Sequence, residues 1–274
     1  MAGITYNNQK MKPEDLITIG REVLKTVRGI QVKGEAPMER GAGGDRTFPV
    51  DKIAEDTILK GLEALGEPFT VITEEAGVLN IGGPGGKTVV IDPIDGSKNA
   101  VSGVPFFGAS IAVASGDTIG DLEMGYVINL ANADEFWAAR GKGAFQNGVS
   151  VRCLPAVDFL SVAFEAQNPS SDIRRILPLL ESARRTRCFG SIALALSYVA
   201  AGGLTTLVNP GKARSFDFAA GYVLVTEAGG IFTDLDGNGI GHVELGIKRG
   251  ASLLASANNE AHEKALDALR KPQV

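Results

Sequence analysis

The chain reads as a mixed protein of helices and strands, α+β up to about residue 152 and α/β after it. Three observations predict this. Two stretches with apolar residues at helical spacing precede a series of β-type runs; beyond residue 152 strand-like and helix-like segments alternate; and 274 residues, 44% hydrophobic and 22% charged, suffice for one large or two small packed units. A soft boundary therefore divides 1–152 from 153–274, with a cleft expected between the halves.

Residues 13–30 place Leu16, Ile19, Val23, Val27 and Ile30 on one helical face, with Pro13 at the first helical position and Glu14 and Asp15 in the first turn, where the helix dipole favours them. Glycines and charges dominate 32–48 (Gly34, Gly41, Gly43, Gly44), which predicts a mobile loop. Helical spacing resumes over 51–65. Apolar and β-branched runs predict strands over 69–73, 88–92, 108–114, 122–130 and 135–139. Asn147-Gly148 predicts a hairpin turn, because this pair tolerates positive φ. The second half continues as a strand at 160–165, helices near 172–183 and 191–201, a strand at 204–209, a helix at 216–228, a strand at 253–257 and a last helix at 260–270. A hairpin turn rich in Gly and Asn is expected at 234–239.

Composition narrows the function. A net charge of −5 argues against nucleic acid as the main partner. No apolar run approaches the roughly 20 residues that span a bilayer, and the polar N-terminus, 1–12, lacks a signal-peptide core, so a cytoplasmic location without a membrane partner is expected. Cys153 and Cys188 are too few for a disulfide framework and are expected as buried free thiols. His242 and His262, the two histidines, stand away from every motif, which leaves histidine acid–base catalysis and a zinc site without support.

The chemistry concentrates in carboxylates. The run 89–91 predicts a buried strand ending at Asp92; Pro93 fixes φ and offers no N–H, so a turn there brings Asp95 back beside Asp92. Two carboxylates converging on one point repel unless one is protonated or a cation lies between them, and oxygen ligands of this kind suit magnesium, manganese or calcium. Glu74 and Glu75 follow the strand at 69–73 and join the cluster, with Asp217, at the start of its helix, facing it across the cleft. Gly96 and Ser97 offer backbone N–H groups in a nest suited to phosphate. Two decoys are set aside. Residues 82–88 are similar to a P-loop but have Ile81 where glycine is needed and a strand afterwards; residues 234–239 are similar to an EF-hand loop, but Glu244 falls one position early for its last ligand. Ser97 lacks the histidine or Gly-x-Ser-x-Gly context of a nucleophile.

Asp92-Pro93-Ile94-Asp95-Gly96-Ser97 resembles the central signature of the inositol monophosphatase superfamily, Asp-Pro-(Ile/Leu)-Asp-Gly-(Thr/Ser), and Glu74-Glu75 is similar to its paired glutamates. Ser215-Phe216-Asp217-Phe218-Ala219-Ala220-Gly221 resembles its third signature, with Phe216 where tryptophan is common. Gly103-Val104-Pro105-Phe106-Phe107 and Gly43-Gly44-Asp45-Arg46-Thr47 most resemble the archaeal branch that combines inositol monophosphatase and fructose-1,6-bisphosphatase activity.

The resemblance implies a layered αβαβα sandwich, a homodimer, and a magnesium-dependent phosphomonoesterase holding two or three ions, with Mn2+ as a substitute. It implies that Glu74, Asp92, the Ile94 carbonyl, Asp95 and Asp217 hold the ions, that Asp45 in the loop recruits a third, and that Asp51 and Ser97, with Glu74, activate the water. Asp51 reads equally well as the N-cap of the helix it starts; position alone favours the same reading for Asp217, which the match to the third signature reverses. Asp95, Gly96, Ser97, Arg187, Ser191, Lys212 and Arg214 are the expected substrate contacts, the basic residues (with Lys98) supplying counter-charge to a small sugar or polyol phosphate. Asn209-Pro210-Gly211-Lys212 stands where strict inositol phosphatases carry an acidic contact, which points to inositol 1-phosphate and fructose 1,6-bisphosphate as joint candidates. Lys98 after the signature also suits a 3′-phosphoadenosine 5′-phosphate phosphatase. From a different class, the alternative is a catalytically silent regulator that binds metal or sugar phosphate.

Overall fold

The computed structural model describes residues 11–155 and 160–271; residues 1–10, which carry most of the reading of the N-terminus, lie outside them. Helices α1 (Pro13–Arg28) and α2 (Pro49–Ala64) each begin on a proline, whose fixed φ and missing N–H suit a first turn. They pack together on one face of an eight-stranded sheet. Its strands are β1 (Phe69–Thr73), β2 (Gly77–Ile81), β3 (Lys87–Asp95), β4 (Gly108–Ala114), β5 (Leu122–Asn129), β6 (Glu135–Ala139), β7 (Gly143–Gln146) and β8 (Val149–Val151), in the order β2-β1-β3-β4-β5-β6-β7-β8. All neighbours are antiparallel except β1 and β3. A short helix α3 (Ser97–Ser102) leaves the end of β3.

The second sheet has five strands, β9 (Ser161–Phe164), β10 (Arg185–Arg187), β11 (Thr206–Arg214), β12 (Ile231–Thr233) and β13 (Arg249–Ser256), ordered β10-β9-β11-β13-β12. Helices α4 (Pro169–Ser182) and α7 (Asn259–Leu269) have one apolar face and cover its outer side. Helices α5 (Ile192–Ala200) and α6 (Ser215–Glu227) are apolar on almost every side, so they must be buried all round, and they form the layer between the two sheets. The five layers give the expected αβαβα order. Apolar clusters fill each interface, and the central one draws side chains from both sheets. Among the described residues no helix is long and apolar enough to cross a membrane.

Several expectations are corrected. Strand β3 does not stop at Asp92: it runs on to Asp95 through a β-bulge, because Asp92 pairs with Ser110 and Asp95 with Gly108, so one extra residue fits at Pro93-Ile94. A bulge tolerates proline as a turn does, since neither needs its N–H. Strand β11 likewise starts at Thr206 and continues past Asn209-Pro210 with register shifts against β13. Helix α1 ends at Arg28, before Gly29. The turn at Asp234 to Gly237 closes as expected, but β13 begins only at Arg249, so no tight hairpin joins it to β12. Strand β10, with its three side chains exposed, had no periodic signal. Asn147 and Gly148 both take positive φ between β7 and β8, as the hairpin required. Cys153 is buried but Cys188 is exposed, because the segment after β10 runs along the surface.

Candidate active site

Three elements bring their ends together. The bulge in β3 presents Asp92 and Asp95, the turn between β1 and β2 presents Glu74 and Glu75, and the first turn of α6 presents Asp217. Asp51 and Asp217 are each the third residue of a helix rather than its N-cap. Asp51 Oδ2 accepts from the Phe48 N–H at 2.6 Å, and Asp217 Oδ2 accepts from the Arg214 N–H at 2.8 Å. This leaves the other oxygen of each for the site. Ser97 Oγ lies 2.7 Å from Asp51 Oδ1 and 2.8 Å from the Ile94 carbonyl, so its one proton can serve either acceptor.

Asp95 is held from the opposite side. Its Oδ2 accepts from Ser191 Oγ at 2.7 Å and from the Ala193 N–H at 2.6 Å, at the start of α5. Gly96 takes φ +92°, and a Cβ there would meet the Gly190 carbonyl at 3.0 Å, so glycine lets two loops approach closely. The Gly190 loop is fixed in turn by Glu165, whose Oε1 accepts from the N–H groups of Phe189 and Gly190, and by Asn99, which donates to the carbonyls of Phe106 and Phe189.

Electrostatically the site is a group of acids kept out of water. Burial raises Asp51 and Asp95 to about 7, against the N–H and O–H groups that hold each down. Burial also lifts Asp92, with Glu74, Asp95 and Asp217 adding to the rise, and Oδ1 of Asp92 has no hydrogen-bond partner. Glu74 and Asp217 are raised by burial although Arg214 opposes it. Arg214 Nη2 stands 3.3 Å from Glu74, 3.4 Å from Asp217 and 2.8 Å from Asp45. Among the described residues no three acids, histidines or cysteines are drawn up as a ready cation cage; the guanidinium stands among them instead. A cavity of about 160 Å³ opens beside this cluster, lined by Asp95, Glu165, Gln167, Asn209, Arg214 and Asp217 among others.

The chain as a whole has known relatives. Residues 14–273 match the model of the inositol monophosphatase family. The chain belongs to that family. It is 36% identical, over 88% of its length and 89% of the relative's, to the fructose-1,6-bisphosphatase/inositol-1-monophosphatase of Methanothermobacter thermautotrophicus. A crystal structure of an inositol monophosphatase-fructose 1,6 bisphosphatase superposes with a TM-score of 0.82 at 28% identity, covering 94% of this chain and all of that one. A bifunctional NADP phosphatase/NAD kinase of Methanococcus maripaludis is 31% identical over 92% of this chain, which spans 48% of that protein. Family and relatives make this inositol monophosphatase family member a phosphatase.

The other residues singled out from sequence fall into two groups. Asp95, Arg214 and Asp217 line the cavity, and Ser191 touches Asp95. Arg187 points its guanidinium at Ser161 Oγ, 2.7 Å away, and the Lys212 side chain is exposed; neither is among the lining residues. Asp45 is joined to the cluster through Arg214, and Glu75 accepts from Thr47 Oγ1. Glu165, Gln167 and Asn209 line the cavity but lie outside the signatures. Glu165 carried a readable signal, since it follows a strand as Glu74 does.

Proposed function

We propose that this phosphatase is a magnesium-dependent phosphomonoesterase acting on small sugar or polyol phosphates, with inositol 1-phosphate and fructose 1,6-bisphosphate as its leading substrates. The observation that carries the reading is the Asp51–Ser97 hydrogen bond at 2.7 Å, set beside the buried Asp92 and half-buried Asp95 at the end of β3. Binding alone does not require such a pair. Hard oxygen donors with an orphaned buried atom, Asp92 Oδ1, fit a divalent ion of the magnesium class. Glu74, Asp92, the Ile94 carbonyl, Asp95 and Asp217 are the groups that would hold two such ions, and Asp45 the group for a third, with Mn2+ as a substitute. Bound there, Mg2+ supplies the charge that makes water acidic and that balances the leaving oxygen.

The chain's own groups do the rest. Ser97 Oγ orients the attacking water, and Asp51 Oδ1 takes the proton that Ser97 passes on. Glu74 holds the same water from the side of the β1–β2 turn. The N–H groups of Gly96 and Ser97 receive the phosphate oxygens, with Arg187, Ser191, Lys212 and Arg214 proposed around the remainder of the substrate. The family resemblance supports a homodimer, and the acidic net charge of −5 supports a small-molecule partner rather than nucleic acid.

A second reading has its own support. The likeness to the NADP phosphatase half-match favours a nucleotide 2′- or 3′-phosphate as an alternative substrate. Phosphate release should be measured in parallel on inositol 1-phosphate, fructose 1,6-bisphosphate, NADP and 3′-phosphoadenosine 5′-phosphate, with and without chelator. Chelator-sensitive turnover on the first two supports the main reading; turnover confined to the nucleotides replaces it with the second. No release from any of the four favours a silent binding protein.

A further inference from the structure

At the centre of the site stands the guanidinium of Arg214. One nitrogen, Nη2, faces Asp45, Glu74 and Asp217 at 2.8, 3.3 and 3.4 Å, while Nη1 donates to the Gly43 carbonyl at 2.8 Å. The side chain is 6% exposed and lies 4.8 Å over the Phe216 ring. Three buried polar atoms at the cluster and its cavity are nevertheless left unmatched, Nε of Arg214, Oδ1 of Asp92 and Oδ1 of Asn209. A buried donor and buried acceptors without partners favour any rearrangement that supplies them. The guanidinium therefore neutralises this cluster incompletely, and it ties the cluster to the loop that carries Asp45.

We propose that Arg214 is a positioning residue that serves as the cluster's own counter-cation, competing with a divalent ion for Glu74 and Asp217. The inference rests on the metal-dependent reading above. A guanidinium and a divalent ion on the same two carboxylates repel one another, so binding of the ion weakens the hold of the guanidinium and the reverse. Departure of the guanidinium also frees Asp45 and the Gly43 carbonyl. Ion binding and the conformation of the loop at 41–45 are thus coupled through a single side chain. Lysine cannot replace it fully, because a single ammonium does not hold the carboxylates with one nitrogen and the Gly43 carbonyl with another, as the planar fork does.

The test is calorimetric titration of the whole metal-free protein with Mn2+, together with thermal unfolding, in wild type, R214Q and R214K. R214Q is expected to bind Mn2+ at least about tenfold more tightly, since the competing charge is gone. Its metal-free Tm is expected to fall, because three acids lose their counter-charge, and saturating Mn2+ to restore it. R214K is expected between the two in affinity and carries the test if R214Q does not fold without the ion. Hydrogen exchange at amides 41–45 is expected to change when Mn2+ is added to wild type and to respond much less in R214Q, which has no guanidinium to displace. Equal or weaker Mn2+ binding in folded variants overturns the competition and leaves the phosphatase reading standing; exchange that Mn2+ leaves unchanged overturns the coupling. No Mn2+ binding by wild type at millimolar concentration overturns both the inference and the metal-dependent reading.

Discussion

Asp51 shows how one carboxylate divides its labour. Oδ2 closes the first turn of α2 through the Phe48 N–H, while Oδ1 meets Ser97. Asp51→Ala is therefore expected to lower turnover at saturating magnesium by roughly 10² to 10⁴ and to cost about 1 kcal/mol of stability through the lost capping hydrogen bond from the Phe48 N–H. Ser97→Ala should lose turnover without the cap cost. Rates and denaturant unfolding of both variants check this; equal stability losses would deny Asp51 its second role. The pH response follows from burial. Asp95 is raised to about 7, far above its unfolded value of about 3.9, so the folded metal-free protein holds that proton more tightly. The stability this contributes is full below about pH 4 and is lost as pH rises through about 7. Asp95→Asn, which cannot titrate, is expected to abolish turnover yet to flatten the fall in metal-free unfolding free energy between pH 5 and 8, by an amount on the order of 2 kcal/mol. Parallel slopes for wild type and variant would remove Asp95 as the cause.

Among the elements, what was legible from sequence was what has a period or a motif. Helices α1 and α2 and the hydrophobic strands showed themselves through spacing, and the signature acids through order along the chain. What was not legible depends on partners. Strand β10 exists because its backbone pairs with β9, not because Arg185, Thr186 and Arg187 favour it. The bulge in β3 was read as a turn because proline excludes ladder bonding in both cases, and only the register with β4 separates them. Glu55 was missed for the same reason. On α2 it looks like a surface helix residue, but Oε1 accepts from Thr73 Oγ1 at 2.7 Å and from the Ala76 N–H at 3.0 Å, under the turn that carries Glu74 and Glu75. Glu55→Ala is expected to cost about 1 to 3 kcal/mol by stranding those buried donors and to weaken Mn2+ binding by loosening Glu74. Glu55→Gln keeps an acceptor and should retain most of both. Chemical denaturation and ion titration of the pair decide it; a destabilised Glu55→Ala with wild-type ion affinity would confine Glu55 to the fold.

At the scale of the molecule, the site depends on how closely the middle layer sits on the large sheet. Helix α6 carries Asp217 in its first turn and passes directly over β5, where Gly125 leaves room for it: a Cβ at Gly125 would lie 2.5 Å from the Ala220 carbonyl oxygen and 2.9 Å from its Cα. Both are backbone atoms, which cannot rotate aside. On the helix's other contact, a Cβ at Gly221 would meet the Leu196 side chain of α5 at 2.4 Å, so α6 is fixed from two directions. Ala220 is one turn from Asp217, while Asp92 and Asp95 belong to the sheet itself. Any lift of α6 therefore moves the acid from the second half away from the acids of the first. Gly125→Ala is expected to destabilise the protein by about 1 to 3 kcal/mol, the usual cost of overpacking, and in addition to weaken Mn2+ binding. Ion binding stabilises only the folded form, in proportion to its affinity, so the rise in Tm on adding a fixed Mn2+ concentration should be smaller in Gly125→Ala than in wild type. A control at Gly141, with positive φ and nothing within 4 Å of an added Cβ, should lose some stability to backbone strain yet keep the full Mn2+ response. If Gly125→Ala loses stability but keeps that response, α6 tolerates the lift and the site does not depend on this packing.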